Sequence, residues 1–414
     1  MNASLTFFTG LALTSSLLLV TTGCDRLDDL RPAPQGAARM GDFTSPNGSL
    51  DKALFASKIK AHLTGKVSGF GYRIWVNGKP YSEEGGGGGL ARYPIDAPAL
   101  AYTAQTRQEV VGGTQFVTAL AVLKTLERNG KTVDEFVWSY LPSYFKPHPD
   151  FKKLRFRHLL WHTSGIITYN APNVKNGEIN SIQLSVEKEI QLGELYGNIQ
   201  DNQDMNYQIL RLTVPYLIAN LGSPQLKSTL ASFEDSHLAL GTSTFGVFEG
   251  VVQLDVMKAA GIEEYTDIEF ADALFPANQF TKYYPGNATG QPGHNNVPNL
   301  RDAGAVGLVI SADELAQVLA KARAGQIVSS QTYQMMRTST RKMGFDGEIS
   351  GKLGTYAFKV GSSTDASAIV MDFQGKPGHE SAVNVQLVVT ANTGVPIANN
   401  PAVWGKLFED SWKF

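Results

Sequence analysis

Apolar positions are spaced differently along successive stretches of this chain, and each spacing predicts its own element. Leu5 to Val20 is an almost unbroken apolar run. Asp25 to Gly48 is rich in Pro, Gly, Ala and Asp with no apolar period, which predicts an irregular tether. From Ser49 a helix is expected, with Ser49 as N-cap and Leu50, Leu54, Ile59 and Leu63 near one face. Phe70 to Val76 and Lys79 to Tyr81, separated by Asn77-Gly78, read as a hairpin with a type I′ turn. The five glycines Gly85 to Gly89 read as a flexible turn, since no Gly-Lys-Thr follows to make an anion cradle.

A helical period runs from about Gly113 to Asn129, with Gly130 as its stop. The middle third, roughly Val133 to Asn299, is helical patches in loops, among them Gln208 to Leu221 and Phe245 to Ala260. Ser311 to Glu314 is a capping box opening a helix to about Ala324. The period then shortens to that of strands, over Thr355 to Val360, Ala366 to Phe373 and Val383 to Ala391. His379-Glu380, between the last two, is most simply a turn. Pro401 to Phe414 reads as a closing helix with Val403, Leu407 and Trp412 inward. Strands at both ends around a helical middle predict an α+β fold: one antiparallel sheet built from N- and C-terminal strands, flanked by helices, with a mostly helical domain inserted.

At 414 residues, 43% hydrophobic and 18% charged, the chain has ample core material for one large or two interleaved domains. A net charge of -2 gives no basic footprint, so nucleic acid is not an expected partner. Residues 1–24 read as an export signal ending at Gly23-Cys24, and Cys24 is the sole cysteine. This resembles a bacterial lipoprotein signal, cleaved before a cysteine that then carries lipid and anchors the protein on the outer side of a membrane. The n-region lacks Lys and Arg and position 21 is Thr, so an ordinary signal peptide or an uncleaved anchor are the alternatives. One cysteine excludes any intramolecular disulfide. The expected division is a signal peptide at 1–24, a tether at 25–48 and a domain at 49–414, with sheet parts 49–100 and 300–414 around a helical part 101–299.

Thr103 to Leu123, TAQTRQEVVGGTQFVTALAVL, resembles the active-site segment of the serine β-lactamase and penicillin-binding (D-Ala-D-Ala peptidase) superfamily, in its branch of small esterases and class C-like enzymes. In that family a serine nucleophile and a lysine base stand one turn apart at a helix N-terminus, where the dipole favours developing negative charge. Laid on the pattern without a gap, the serine falls on Gly112 and the lysine on Gln115. Met205 to Arg211 resembles the surroundings of the family's Y-x-N motif, whose tyrosine falls on Asn202 and whose asparagine falls on Asp204. Lys359-Val360-Gly361, followed by Ser362, resembles the K-T-G strand that steers a substrate carboxylate or carbonyl. Leu154 to Ile166, LRFRHLLWHTSGI, is the most specific match, joined by Leu141-Pro142 and Ala303 to Met336. The resemblance covers about Gly69 to Thr393.

Other candidates carry less. His158 and His162 are spaced like a zinc-binding pair but lack the intervening glutamate of a metalloprotease, and the family frame makes them structural. No metal and no cofactor are expected. The S-x-x-K strings at Ser49, Ser57, Ser143 and Ser185 lie outside the family frame, and no G-x-S-x-G is present. Thr114, two residues along from Gly112, is expected to point elsewhere. With two motifs changed at four positions, the expected function is an exported relative that no longer performs acyl transfer and binds a peptide or cell-wall fragment in the old cleft. The rivals are a hydrolase of esters or D-peptides using substitute groups, such as Asp204 with Lys359, and a structural or assembly protein.

Overall fold

The computed structural model describes residues 48–167, 179–190, 204–270, 281–284, 290–295, 302–339, 341–375, 383–393, 397 and 400–414. The signal, Cys24, most of the tether, Asn202 and His379-Glu380 lie outside these residues.

The first strand, β1 (Ser49–Leu50), pairs antiparallel with the last, β13 (Trp412–Lys413), so the described chain closes on itself. This displaces the expected helix start: α1 runs Lys52–Leu63, capped by the Asp51 side chain on the Leu54 amide. The buried face is Phe55, Ile59 and Leu63, and Leu54 is turned outward. β2 (Gly69–Val76) and β3 (Lys79–Pro80) form the expected hairpin, with Asn77 and Gly78 both at positive φ. The glycine run is not a flexible turn. It is a strand, β4 (Gly86–Arg92), paired to β2 on one side and to β5 (Leu100–Ala101) on the other. Side chains there are excluded by close approach: a Cβ on Gly86 would stand 2.1 Å from the Tyr72 ring, and one on Gly87 would stand 2.5 Å from the Tyr102 carbonyl oxygen.

β6 (Gln108–Glu109) leads into α2 (Gly113–Arg128), which is buried along almost its whole length, and Gly130 follows in left-handed conformation. The helical part continues through α3 (Phe156–Leu160), α4 (Ile179–Glu187), α5 (Asp204–Gly222), α6 (Pro224–Phe233) and α7 (His237–Val251). The stretch expected as one helix to Ala260 changes winding, since Val252–Lys258 is a π-helix. β7 (Glu269–Phe270) and β6 flank β8 (Leu308–Ile310) in a small sheet. α8 (Ala312–Arg323) opens on the expected Ser311–Glu314 capping box, and α9 (Ser330–Thr338) follows.

β9 (Gly347–Ser350), β10 (Gly354–Ser362), β11 (Ser367–Gly375) and β12 (Asn384–Ala391) complete the main sheet, in the order β5-β4-β2-β12-β11-β10-β9. N- and C-terminal strands meet where β2 pairs antiparallel with β12, as the pattern predicted. α1 and α10 (Pro401–Glu409) cover one face, where Phe373 stacks on Phe408 at 4.2 Å and Phe55 meets both rings edge-on. The fully buried side chains of α10 are Trp404 and Phe408; Leu407 and Trp412 pack partly buried against the same core as expected, Trp412 from β13 rather than from the helix. The other face packs on α8 and α2. There Asp372 of β11 is fully buried and receives Arg323, Arg337 (2.9 Å), the Tyr333 hydroxyl (2.9 Å) and the Gln386 amide (3.1 Å). Among the described residues no helix is long and apolar enough to cross a membrane.

Candidate functional site

At Gly112 the start of α2 approaches β10 backbone to backbone. Val111 stands at φ 47, a left-handed conformation that a β-branched residue adopts only under constraint. Its side chain packs with Tyr283, Ala366 and Val306. Gly112 then caps the helix with no side-chain bond. A Cβ on Gly112 would stand 2.6 Å from the Val360 carbonyl oxygen, and one on Gly361 would stand 2.2 Å from the Val110 carbonyl oxygen. Two glycines therefore let helix start and strand meet main chain to main chain. The place a nucleophile would need is taken by strand backbone.

One turn on, Gln115 is buried at the centre of a polar chain. Its Oε1 accepts from Lys359 Nζ at 2.6 Å and faces His162 Nε2 at 3.2 Å, while its Nε2 donates to Asp204 Oδ1 at 3.1 Å. Behind His162, Asn206 Nδ2 lies 3.3 Å from His162 Nδ1, and Asn206 Oδ1 accepts from the Ser164 hydroxyl at 2.6 Å. One assignment satisfies the chain: His162 neutral, with its proton on Nε2 donated to Gln115 and Nδ1 accepting from Asn206. The ring of Tyr207, 4.9 Å away and tilted 32°, backs the imidazole. His162 itself stands at φ 53, so this turn too is held by its surroundings.

Lys359 is 4% exposed and bridges two groups. Besides Gln115 it meets Asp346 Oδ1 at 2.5 Å, and Asp346 Oδ2 accepts from the Val360 amide at 2.8 Å. One carboxylate thus grips both the ammonium and the neighbouring strand N–H. Asp346 directly precedes β9, and its own amide donates to Phe358 O at 2.8 Å, which carries the β9–β10 ladder one step further. Asp204, the first residue of α5, has its pKa raised by burial; the Lys359 charge and the Gln115 hydrogen bond offset this only in part.

The structure therefore brings Gly112, Gln115, Asp204, Lys359 and Gly361 together, while Ser362 lies exposed at the end of β10. Thr114 is turned away, its hydroxyl accepting from the Leu308 amide at 3.2 Å. His158 is separate from His162: its Nδ1 accepts from the Arg155 amide at 3.0 Å, and burial with Arg157 and Arg155 nearby lowers its pKa to about 4. Asp346 went unnoticed in the sequence because no motif contains it. Its only signal is its place in the hairpin opposite Lys359.

As chemistry, the arrangement offers no acyl-transfer pair. Gly112 has nothing to attack with, and an amide at Gln115 cannot take a proton near neutral pH. Lys359 is held by a carboxylate, whereas a base would have to be a free amine. A separate groove of about 570 Å³ is lined by Arg107, Asp313 and Glu314, with Arg107 paired to Glu314 at 2.6 Å, and none of the converging residues lines it.

The Beta-lactamase family model matches residues 55–187. Among solved structures, FmtA from Staphylococcus aureus superposes with a TM-score of 0.63 at 14% identity, over 90% of this chain and 93% of that one. A β-lactamase/D-alanine carboxypeptidase from Pseudomonas syringae gives 0.60 at 14%, over 86% and 98%. A D-stereospecific amidohydrolase from Streptomyces gives 0.57 at 14%, over 83% and 95%. No curated protein sequence matches the chain. At these identities the likeness to the solved structures is one of fold.

Proposed function

We propose that the chain, which matches the Beta-lactamase family model over residues 55–187, is an exported, non-acylating member of the serine β-lactamase and penicillin-binding-protein-like superfamily whose role is recognition of a peptide or cell-wall fragment. The observation that carries this reading is the contact at Gly112: the Val360 carbonyl stands 2.6 Å from where a nucleophile's Cβ would be. Gln115 and Asp346 support it by engaging Lys359 from within. A ligand would then lie along the outer end of β10, where Ser362 is exposed, and make no use of the Lys359 ammonium. The names of the similar structures, a D-alanine carboxypeptidase and a D-stereospecific amidohydrolase, suggest a D-amino-acid-containing peptide. Export and lipid attachment at Cys24 belong to the same proposal.

Fluorescent penicillin and a fluorophosphonate are expected to leave the protein unlabelled, while titration calorimetry with a D-Ala-terminated stem peptide registers binding. Covalent labelling that disappears on mutation within the cleft overturns the reading.

One observation favours a second reading. Asp204 and Lys359 converge on Gln115, and burial raises the Asp204 pKa, which suits a base activating water beside a cation. On this reading ester turnover is present and falls in both Asp204→Asn and Lys359→Ala; turnover that persists in both removes it.

A further inference from the structure

We propose that the surface around Phe136 and Trp138 docks the domain on an anionic lipid membrane. Trp138 is 42% exposed and Phe136 38%, while most other aromatic side chains among the described residues are buried. Each ring is covered by a cation: Lys152 Nζ stands 5.8 Å from the Trp138 centroid and the Arg155 guanidinium 4.2 Å from that of Phe136. Nearby in sequence, Arg157 stands 5.5 Å from the Trp161 centroid but is ion-paired with Asp134, so the free charge rests with Lys152 and Arg155. Among the described residues neither Lys152 nor Arg155 is paired with a carboxylate side chain. From Lys131 to Arg157 there are six basic and three acidic side chains, in a chain of net charge -2.

Main-chain hydrogen bonds tie the two segments of this surface together. Val137 N donates to Leu154 O at 3.1 Å, Phe156 N to Glu135 O at 3.2 Å and Arg157 N to Val133 O at 2.9 Å, which pins the aromatic segment to the basic one. Exposed Trp and Phe beside Lys and Arg is the composition that settles at a headgroup layer, with rings at the acyl boundary and cations among the phosphates. The charge excess selects an anionic headgroup. This inference does not depend on what the cleft binds. It also supplies the second attachment that a weakly anchored protein needs.

The test uses the full chain in vesicles with brominated acyl chains, which quench a tryptophan that reaches them. In phosphatidylglycerol vesicles the wild type is expected to show a quenched component that Trp138→Phe lacks. Salt at about 0.5 M should abolish it, because the Debye length then falls to a few ångström. At about 1 kcal/mol per basic side chain near an anionic surface, Lys152→Gln is expected to lower the ratio of quenched to unquenched Trp138 about fivefold, and Lys152→Gln with Arg155→Gln about thirtyfold. Unchanged circular dichroism and melting show that these variants fold. Equal quenching in phosphatidylcholine, or none attributable to Trp138, overturns the proposal. So does the same Trp138 fluorescence change on adding soluble polyphosphate without vesicles, which assigns the surface to an anionic polymer.

Discussion

Two buried charge clusters tie helices to the main sheet, and they are built on opposite plans. At Asp372 one carboxylate on β11 gathers two guanidiniums, a hydroxyl and an amide from α8, α9 and β12. At Lys359 one ammonium on β10 lies between the carboxylates of Asp346 and Asp204, with neutral Gln115 relaying between them. The first occupies a place where no chemistry is expected. The second lies where the resemblance would put reactive groups, and no side-chain atom of Lys359, Gln115, Asp204 or Asp346 is buried without a hydrogen-bond partner, whereas Arg337 Nε and Gln386 Oε1 beside Asp372 are. In both clusters the chain itself supplies the partners of the buried charge, and at Lys359 they come from a helix start and the entry to a neighbouring strand.

The comparison can be broken in order of expected effect. Asp372→Ala strands two buried guanidiniums and should cost about 3–5 kcal/mol in urea unfolding. Gly112→Ser must push Val360 away and should cost about 1–3 kcal/mol as an overpacked site. Even combined with Gln115→Lys it should recover no penicillin labelling; recovered labelling would mean that the strand yields easily. Asp346→Asn, which leaves Lys359 with Gln115 as its remaining hydrogen-bond partner, should cost about 2 kcal/mol, less than Asp372→Ala because Asp346 is partly exposed.

The smallest effect is the most diagnostic, because it depends on sign. Burial alone would raise the Asp372 pKa, but Arg323, Arg337 and the Gln386 hydrogen bond outweigh it and hold it below the ordinary 3.8. Its stabilisation is therefore complete above pH 3.8 and is lost as pH falls through the lowered value. Asp204 is the reverse: raised by burial, it gives up stability as pH rises through 3.8 and its elevated folded value. Asp204→Asn should thus be neutral or slightly stabilising at pH 7, by under about 1 kcal/mol, with no gain near pH 3. Melting curves of both variants from pH 3 to 7 should diverge in opposite directions. A parallel response would place Asp204 in the same class as Asp372.

Much of the fold was legible, because periodicity reports burial on one face. β2, β10, β11 and β12 and helices α2, α5 and α8 fall close to where their apolar spacing put them. The glycine strand β4 was not legible, since glycine offers no side-chain pattern and disfavours strands; its reason lies in the rings of Phe70 and Tyr72, fifteen or so residues away. The start of α1 shifted because β1 is claimed by β13 at the far end of the chain. At the site, the substituted positions Gly112 and Gln115 could be named from spacing alone. What replaced the chemistry could not, because Asp346 reaches Lys359 only through the β9–β10 pairing.

That pairing has a pharmacological consequence. A carboxylate fixed in the same chain is present at an effective concentration in the millimolar range or above, whatever the composition of the surroundings. Any drug or peptide that relies on its own carboxylate to find Lys359 competes with a rival that never diffuses away.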